Sequence, residues 1–205
     1  SYYTGGVVDS VAISSDGEYI VVGSRDTRIY FFDRDNSTPL WSYTTSGIIY
    51  SVDISSDGEY IVAGSADDKV YFFEKDSSTP LWSYETGNYV SSVAISADGN
   101  YIAAGSNDDN FYLFQKDSDD PLWEYSADGD VESVAISADG ENIIVACGDE
   151  SIAFFDKDSN EPLWTADFDA YVRVVTISAN GDYVAAGSDD GLFSAKSFEN
   201  VSKIP

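Results

Sequence analysis

Histidine and methionine are absent from this chain, cysteine occurs once, and 10 lysines and arginines stand against 37 aspartates and glutamates. Without histidine, the side chain most often used as a general base or metal ligand at neutral pH is missing. There is no Gly-x-Ser-x-Gly elbow, no Gly-x-x-x-x-Gly-Lys-Ser/Thr loop and no Cys/His metal spacing, so the sequence predicts a protein that is not an enzyme, with no resident cofactor and no metal site. The lone Cys147 excludes an intramolecular disulfide. A formal charge of −27 repels phosphate backbones and anionic lipid, so nucleic acid and membrane surfaces are not expected partners. No apolar run reaches the roughly 18 residues a membrane-spanning helix needs, and no membrane insertion is expected. The chain begins with Ser1 and holds no methionine, which is the expectation for a mature or excised piece of a longer product.

The acids are scattered through turns, as on a solvated surface, and do not form one run. Their mutual repulsion is screened by salt. The melting temperature is therefore expected to rise from low to molar salt, and a melting curve that ignores salt would remove the idea of adaptation to a saline or cell-exterior setting.

What the chain does contain is a period. Its four tryptophans are Trp41, Trp82, Trp123 and Trp164, spaced by 41 residues, and the length is five such periods with no insertion or deletion. Val11, Val52, Val93, Val134 and Val175 form one column; Ile13, Ile54, Ile95, Ile136 and Ile177 form another, each followed by serine. Asp26, Asp67, Asp108, Asp149 and Asp190 are a third. Pro-Leu-Trp recurs at 39–41, 80–82, 121–123 and 162–164, but residues 203–205 read Lys-Ile-Pro. Cys147 stands in the column of Ser24, Ser65, Ser106 and Ser188, the place of a small buried residue rather than a reactive thiol. A fixed period of roughly 20–50 residues marks a repeat architecture whose units cannot bury their apolar faces alone.

The first unit reads as four strands. Val8 to Ser14 ends in Asp16-Gly17, a tight hairpin turn; Tyr19 to Ser24 is a short apolar run suited to a strand covered on both faces. After a turn at 25–27, Arg28 to Arg34 is β-branched and aromatic. A polar loop closed by Pro39 leads to Leu40 to Thr44. Four short antiparallel strands per 41 residues predict an all-β, five-bladed β-propeller forming a single domain over residues 1–205. Small residues on the first strand (Ser10, Ala12, Ser14) and aromatics on the third and fourth (Tyr30, Phe31, Phe32, Trp41) suit blades that diverge from an axis.

The string Val-x-Ser-Val-Ala-Ile-Ser-x-Asp-Gly-x-Tyr-Ile-x-x-Gly-Ser-x-Asp at 8–26 and 90–108 resembles the WD40 repeat, and Tyr-x-Phe-x-x-Asp followed by Pro-Leu-Trp resembles quinoprotein (PQQ-like) and surface-layer propellers. The resemblance covers the whole chain and implies a propeller fold, which hosts many unrelated functions. The WD40 Gly-His pair is missing and Trp-Asp is replaced by Phe32-Asp33 and Phe73-Glu74. The family's Asp–His–Ser–Trp network cannot form, so the Asp26 column is expected to cap its own turn and bond neighbouring backbone N–H groups.

Ser1-Tyr2 aligns with Ser42-Tyr43, so the chain opens inside a fourth strand. The expectation is a ring closed by pairing Ser1 to Thr4 with the segment Leu192 to Phe198 of the last blade, which leaves no open sheet edge. The alternatives are a piece of a larger ring or a ring completed by another copy. The loops entering the first strands keep register while their chemistry varies, and Tyr50, Tyr89, Tyr171 and Arg173, with Arg25, Arg28 and Lys69 from the second-to-third strand turns, supply aromatics and scarce positive charge to one axial face. Tyrosine and arginine are favoured interface anchors. The resulting expectation is a monomeric, exported or cell-surface binding or scaffold module that takes a protein, peptide or glycan on that face. The alternatives are a self-assembling building block of a surface array or filament, and a calcium-binding propeller using oxygen donors at 33–37 and 156–160.

Overall fold

The computed structural model describes residues 1–190 and, for the backbone alone, 193–197. The described residues form strands and turns without a helix, so no helix is long and apolar enough to cross a membrane. The first sheet holds β1 (Val8–Ile13), β2 (Tyr19–Ser24), β3 (Arg28–Asp33) and β4 (Trp41–Thr44) in that spatial order, every neighbour antiparallel. The second holds β5 (Ile49–Ile54), β6 (Tyr60–Ser65), β7 (Lys69–Glu74) and β8 (Trp82–Glu85). The third holds β9 (Val90–Ile95), β10 (Tyr101–Ser106), β11 (Asn110–Gln115) and β12 (Trp123–Ser126). The fourth holds β13 (Val131–Ile136), β14 (Asn142–Cys147), β15 (Ser151–Asp156) and β16 (Trp164–Asp167). A fifth sheet pairs β17 (Val172–Ile177), β18 (Tyr183–Ser188) and β19 (Phe193–Ser197).

The three interior sheets hide both faces, which suits the continuous apolar run of their second strands. Val21, Ile29 and Phe31 of the first sheet interlock with Ile49, Val52, Ile61 and Phe73 of the second. Equivalent layers join second to third, third to fourth and fourth to fifth. First strand packs on first strand throughout: β1 on β5, β5 on β9, β9 on β13, β13 on β17.

Polar links recur at each junction. The serine hydroxyls of Ser10, Ser51, Ser92 and Ser133 accept the N–H of Val52, Val93, Val134 and Val175. A backbone chain runs from Ser15 N–H to the Ser56 carbonyl, Ser56 to Ala97, Ala97 to Ala138 and Ala138 to Ala179, each 2.9–3.0 Å. The Asp-Gly turns adopt the expected left-handed glycine, and at three junctions the next sheet's turn glycine receives an aromatic ring, Asn142 taking that place over Gly181 at the fourth: a Cβ on Gly58 (φ +75°) would stand 2.5 Å from Tyr19 Cδ2. The Asp26 column does cap its turn. Asp26 accepts the Gly5 N–H and the Tyr30 hydroxyl, as Asp67 does from Ser46 and Tyr71, and Asp108 from Gly87 and Tyr112. Burial and that carboxylate push the Tyr30 phenol up to about 12.

The two ends of the stack differ from its interior. Val11 and Ile13 are 64% and 60% exposed, whereas Val52 and Ile54 are 5% and 7%. At the other end Val174, where the earlier repeats have serine, is 55% exposed and Tyr183 58%. Ser1 to Thr4 lie outside any strand, and the pairing of β19 is with β18. Residues 191–192 and 198–205, including part of the segment expected to receive Ser1 to Thr4 and the divergent 203–205, lie outside the described residues.

Candidate functional site

Every first strand carries a bulge at one place. Val8 pairs with Ser24 and Ser10 with Gly23, so Asp9 is left out of the ladder; Tyr50, Ser91, Glu132 and Arg173 are left out in the same way. A bulge re-aims the extra side chain and is common beside functional sites. The five residues at this position are all different, in a chain whose neighbouring valine column is invariant. Two further variable columns meet it. One precedes the strand (Val7, Ile48, Tyr89, Asp130, Tyr171) and the other follows the second strand (Arg25, Ala66, Asn107, Gly148, Asp189). Antiparallel pairing puts all three on the same rim of the molecule.

These side chains contact one another in a belt that crosses repeat boundaries. The Tyr50 and Tyr89 rings lie 5.4 Å apart. Asn107 Nδ2 donates to the Tyr89 hydroxyl and to Asp130, both at 2.6 Å. Tyr171 donates its hydroxyl to Glu132, and the Arg173 guanidinium lies 4.5 Å over the Tyr171 ring. Arg173 grips Asp189 with two nitrogens at 2.8 and 2.6 Å, while Arg25 pairs with Asp9 at 2.7 Å. The two pairs are charge-swapped versions of one another: arginine in the turn column and acid in the bulge column at Arg25–Asp9, the reverse at Arg173–Asp189.

Of the seven residues expected from sequence, five join this belt or its ends: Tyr50, Tyr89, Tyr171, Arg173 and Arg25. Arg28 and Lys69 share the rim but open β3 and β7, two strands outward, where Arg28 stands opposite Thr44 and Lys69 pairs with Glu85 at 3.5 Å. Asn107, Asp130, Glu132, Asp9 and Asp189 were missed. Their signal was present as variable columns, but an acid in so acidic a chain attracts no notice until its partner is seen.

Burial, then the carboxylates of Asp130 and Glu132, raise the Tyr89 phenol above its usual range, and burial with the Glu132 contact raises Tyr171 further. Both hydroxyls therefore stay protonated donors at neutral pH. The hydrogen bond to Arg173 lowers Asp189. The arginine side chains are 54% and 57% exposed, so solvent screens their ion pairs and they add little to stability. The belt offers aromatic faces, hydroxyl donors, two guanidiniums and several carboxylates at the surface, a set suited to stacking and hydrogen bonding rather than to nucleophilic attack. Cys147 is buried, and desolvation pushes its thiol up to about 12, so it carries no thiolate.

The DUF5711 family, a family of unknown function, matches residues 8–191. The chain belongs to this family. The DUF5711 match spans the belt from Asp9 to Asp189, so the variable rim is part of the family's extent and not an appendage. No curated protein matches the chain.

Two other features of this DUF5711 chain concern ligation. In the 33–37 and 156–160 loops the carboxylates fold back on their own turns, Asp33 accepting the Asp35 N–H and Asp156 the Asp158 N–H. Asp53 is the single acid in a column of Ala12, Ala94, Ala135 and Thr176. It lies between β5 and β9, accepting the N–H of Ile54 and Ile95, and desolvation raises its carboxyl to about 6.

Proposed function

We propose that the chain is a non-catalytic binding or scaffold module, exported or displayed at a cell surface, that engages a protein, peptide or glycan through the tyrosine–arginine belt. The observation that carries this reading is that three columns whose chemistry varies from repeat to repeat touch each other, on one rim and beside a repeated bulge. Residues that serve only the fold are held constant from unit to unit, as the valine, isoleucine and aspartate columns are. The belt's exposed pairs add little stability, so stability gives no reason for their variety.

We further propose that the sheets are blades of a WD40-like or PQQ-like five-bladed propeller, its ring closed at the seam between last and first sheets. Support comes from the recurrence of the same packing at the four junctions and from Tyr183 and Gly17 falling in the sequence columns of Tyr19 and Gly58.

Titration of isotope-labelled protein with a panel of a lysine-rich peptide, a glutamate-rich peptide and a neutral β-linked glucan tests the binding reading. At least one probe is expected to shift Tyr50, Tyr89 and Tyr171, and Tyr50→Ala with Arg173→Ala is expected to abolish that shift without lowering the melting temperature. Shifts confined to other surfaces, or a loss of stability equal to the loss of binding, would contradict it. A second reading, an element of an array or filament, draws on the exposed Val11 and Ile13 at one end and Val174 and Tyr183 at the other. Head-to-tail mating of such faces between copies builds open fibres, and growth of the sedimenting species with concentration would favour it.

A further inference from the structure

The belt carries two arginines, and both are engaged. Arg173 lies over the Tyr171 ring and holds Asp189 with two nitrogens, while Arg25 holds Asp9. These pairs show how this rim receives a guanidinium. A carboxylate meets its N–H edge, and at Tyr171 an aromatic face also lies beneath it.

Midway along the belt the same receiving groups recur without the cation. Tyr89 stands in the column of Tyr171, but two residues on, where the last repeat has Arg173, stands Ser91. Glu132 stands in the column of Asp9, but where the first repeat has Arg25 the fourth has Gly148. Among the described residues no lysine or arginine pairs with Asp130 or Glu132, and none lies over the Tyr89 ring. Asp189, and then Glu132, hold the Arg173 guanidinium above its ordinary range, but both of its bonding nitrogens are on Asp189. The two carboxylates are met by neutral donors alone, Asp130 by Asn107 and Glu132 by the Tyr171 hydroxyl.

A second, independent sign comes from Asn107. It is 8% exposed, its Nδ2 bridges the Tyr89 hydroxyl and Asp130, and Oδ1 on the same carboxamide has no hydrogen-bond partner. A buried amide oxygen without a donor is rare in native proteins, and here it sits beside two carboxylates that lack a cation.

We propose that the stretch of the belt between Tyr89 and Glu132 receives the guanidinium of an arginine carried on a basic partner peptide. The inference deepens the binding reading above and rests on it. The Tyr89 ring supplies the face, Asp130 and Glu132 accept N–H groups, and the five donors of a guanidinium are enough to serve the Asn107 oxygen as well. A planar fork that stacks on a ring and pairs with a carboxylate suits this set better than the point charge of an ammonium, and Arg173 makes that same pair of contacts one site away.

The probe is a capped Gly-Ser-Arg-Ser-Gly peptide titrated into isotope-labelled protein, beside its lysine and citrulline counterparts. The arginine peptide is expected to shift the Tyr89 and Tyr171 rings and the Asn107 side-chain amide. The lysine peptide should bind about fivefold more weakly, and the neutral citrulline peptide not measurably. Asp130→Asn and Glu132→Gln, which keep shape and remove charge, should each weaken arginine binding by about tenfold, whereas Asp117→Asn on an exposed loop of the third sheet should leave it unchanged. Equal binding by the three peptides, or full-strength binding by both the Asp130 and Glu132 variants, would overturn the proposal. So would an equal loss in Asp117→Asn, the mark of diffuse attraction to an acidic chain. Shifts of the belt tyrosines by the glutamate-rich peptide or the glucan, with none from the arginine peptide, would remove this inference and leave the binding reading standing; no shift with any probe would end both.

Discussion

Asp53→Ala is expected to make the protein more stable at pH 7 by about 2–3 kcal/mol, and to leave it unchanged near pH 4. An unfolded aspartate ionises near its ordinary value of 3.8, whereas burial between β5 and β9 holds the folded carboxyl near 6. Because the folded pKa is raised, the folded state keeps its proton while the unfolded state loses it. Stability therefore falls as pH climbs from about 4 to about 6, and the full penalty is present above that window. A shift of roughly two units at about 1.4 kcal/mol each sets the size. Alanine occupies this place in three other repeats, so the backbone needs no carboxylate there. Urea unfolding of the two proteins from pH 4 to 8 measures the difference. If Asp53→Ala were less stable at pH 7, the bonds from the Ile54 and Ile95 N–H groups would outweigh desolvation and the assignment of the partly buried Asp53 as a costly acid would be wrong.

Strand number, order and turns were legible because period and alternation act locally. The Asp-Gly turns, the runs such as Tyr19 to Ser24, and the Pro-Leu-Trp segments each specify their conformation within a few residues, and there the structure differs only at edges, β1 stopping at Ile13 and β4 starting at Trp41; Ser1 to Thr4, expected as a closing strand, lie outside any strand, and the fifth sheet has three described strands. The rim was half legible. Tyr50, Tyr89, Tyr171 and Arg173 stood out as repeat-breaking residues on entry loops, but the bulge that re-aims Tyr50 and Arg173 is a pairing between strands, and nothing in Asp9-Ser10 or Arg173-Val174 announces it. Asn107 became visible only through the two groups it bridges in different repeats. Lys69 is a cation on the same rim whose strand carries it outward to Glu85, a placement that depends on strand pairing and not on its turn alone. Asp53 had a sequence signal, the lone acid of an alanine column, yet its cost arises from β9 closing over it.

The second large effect lies at the turn glycines. Gly58→Ala combines two penalties. Its φ of +75° costs a side chain about 1 kcal/mol, and the new Cβ would meet the Tyr19 ring at 2.5 Å, an overpacking worth about 1–3 kcal/mol more. Gly17 has the same backbone, φ +72°, but the nearest atom to its Cβ is Ile13 Cδ1 at 3.9 Å. In a closed ring Tyr183 would cover Gly17 as Tyr19 covers Gly58. Pairing Gly17→Ala with Tyr183→Ala therefore probes the seam through side chains that belong to no other contact in dispute.

That comparison, read as unfolding free energies of Gly17→Ala, Gly58→Ala and the Gly17→Ala/Tyr183→Ala double variant, bears most directly on five equivalent blades mating all the way round. Closure gives Gly17→Ala the loss seen for Gly58→Ala, about 3 kcal/mol, with a substantial part recovered when Tyr183 is also removed. A loss of only about 1 kcal/mol, indifferent to Tyr183, would mean that the last sheet does not reach the first and that the ring is not closed within one chain.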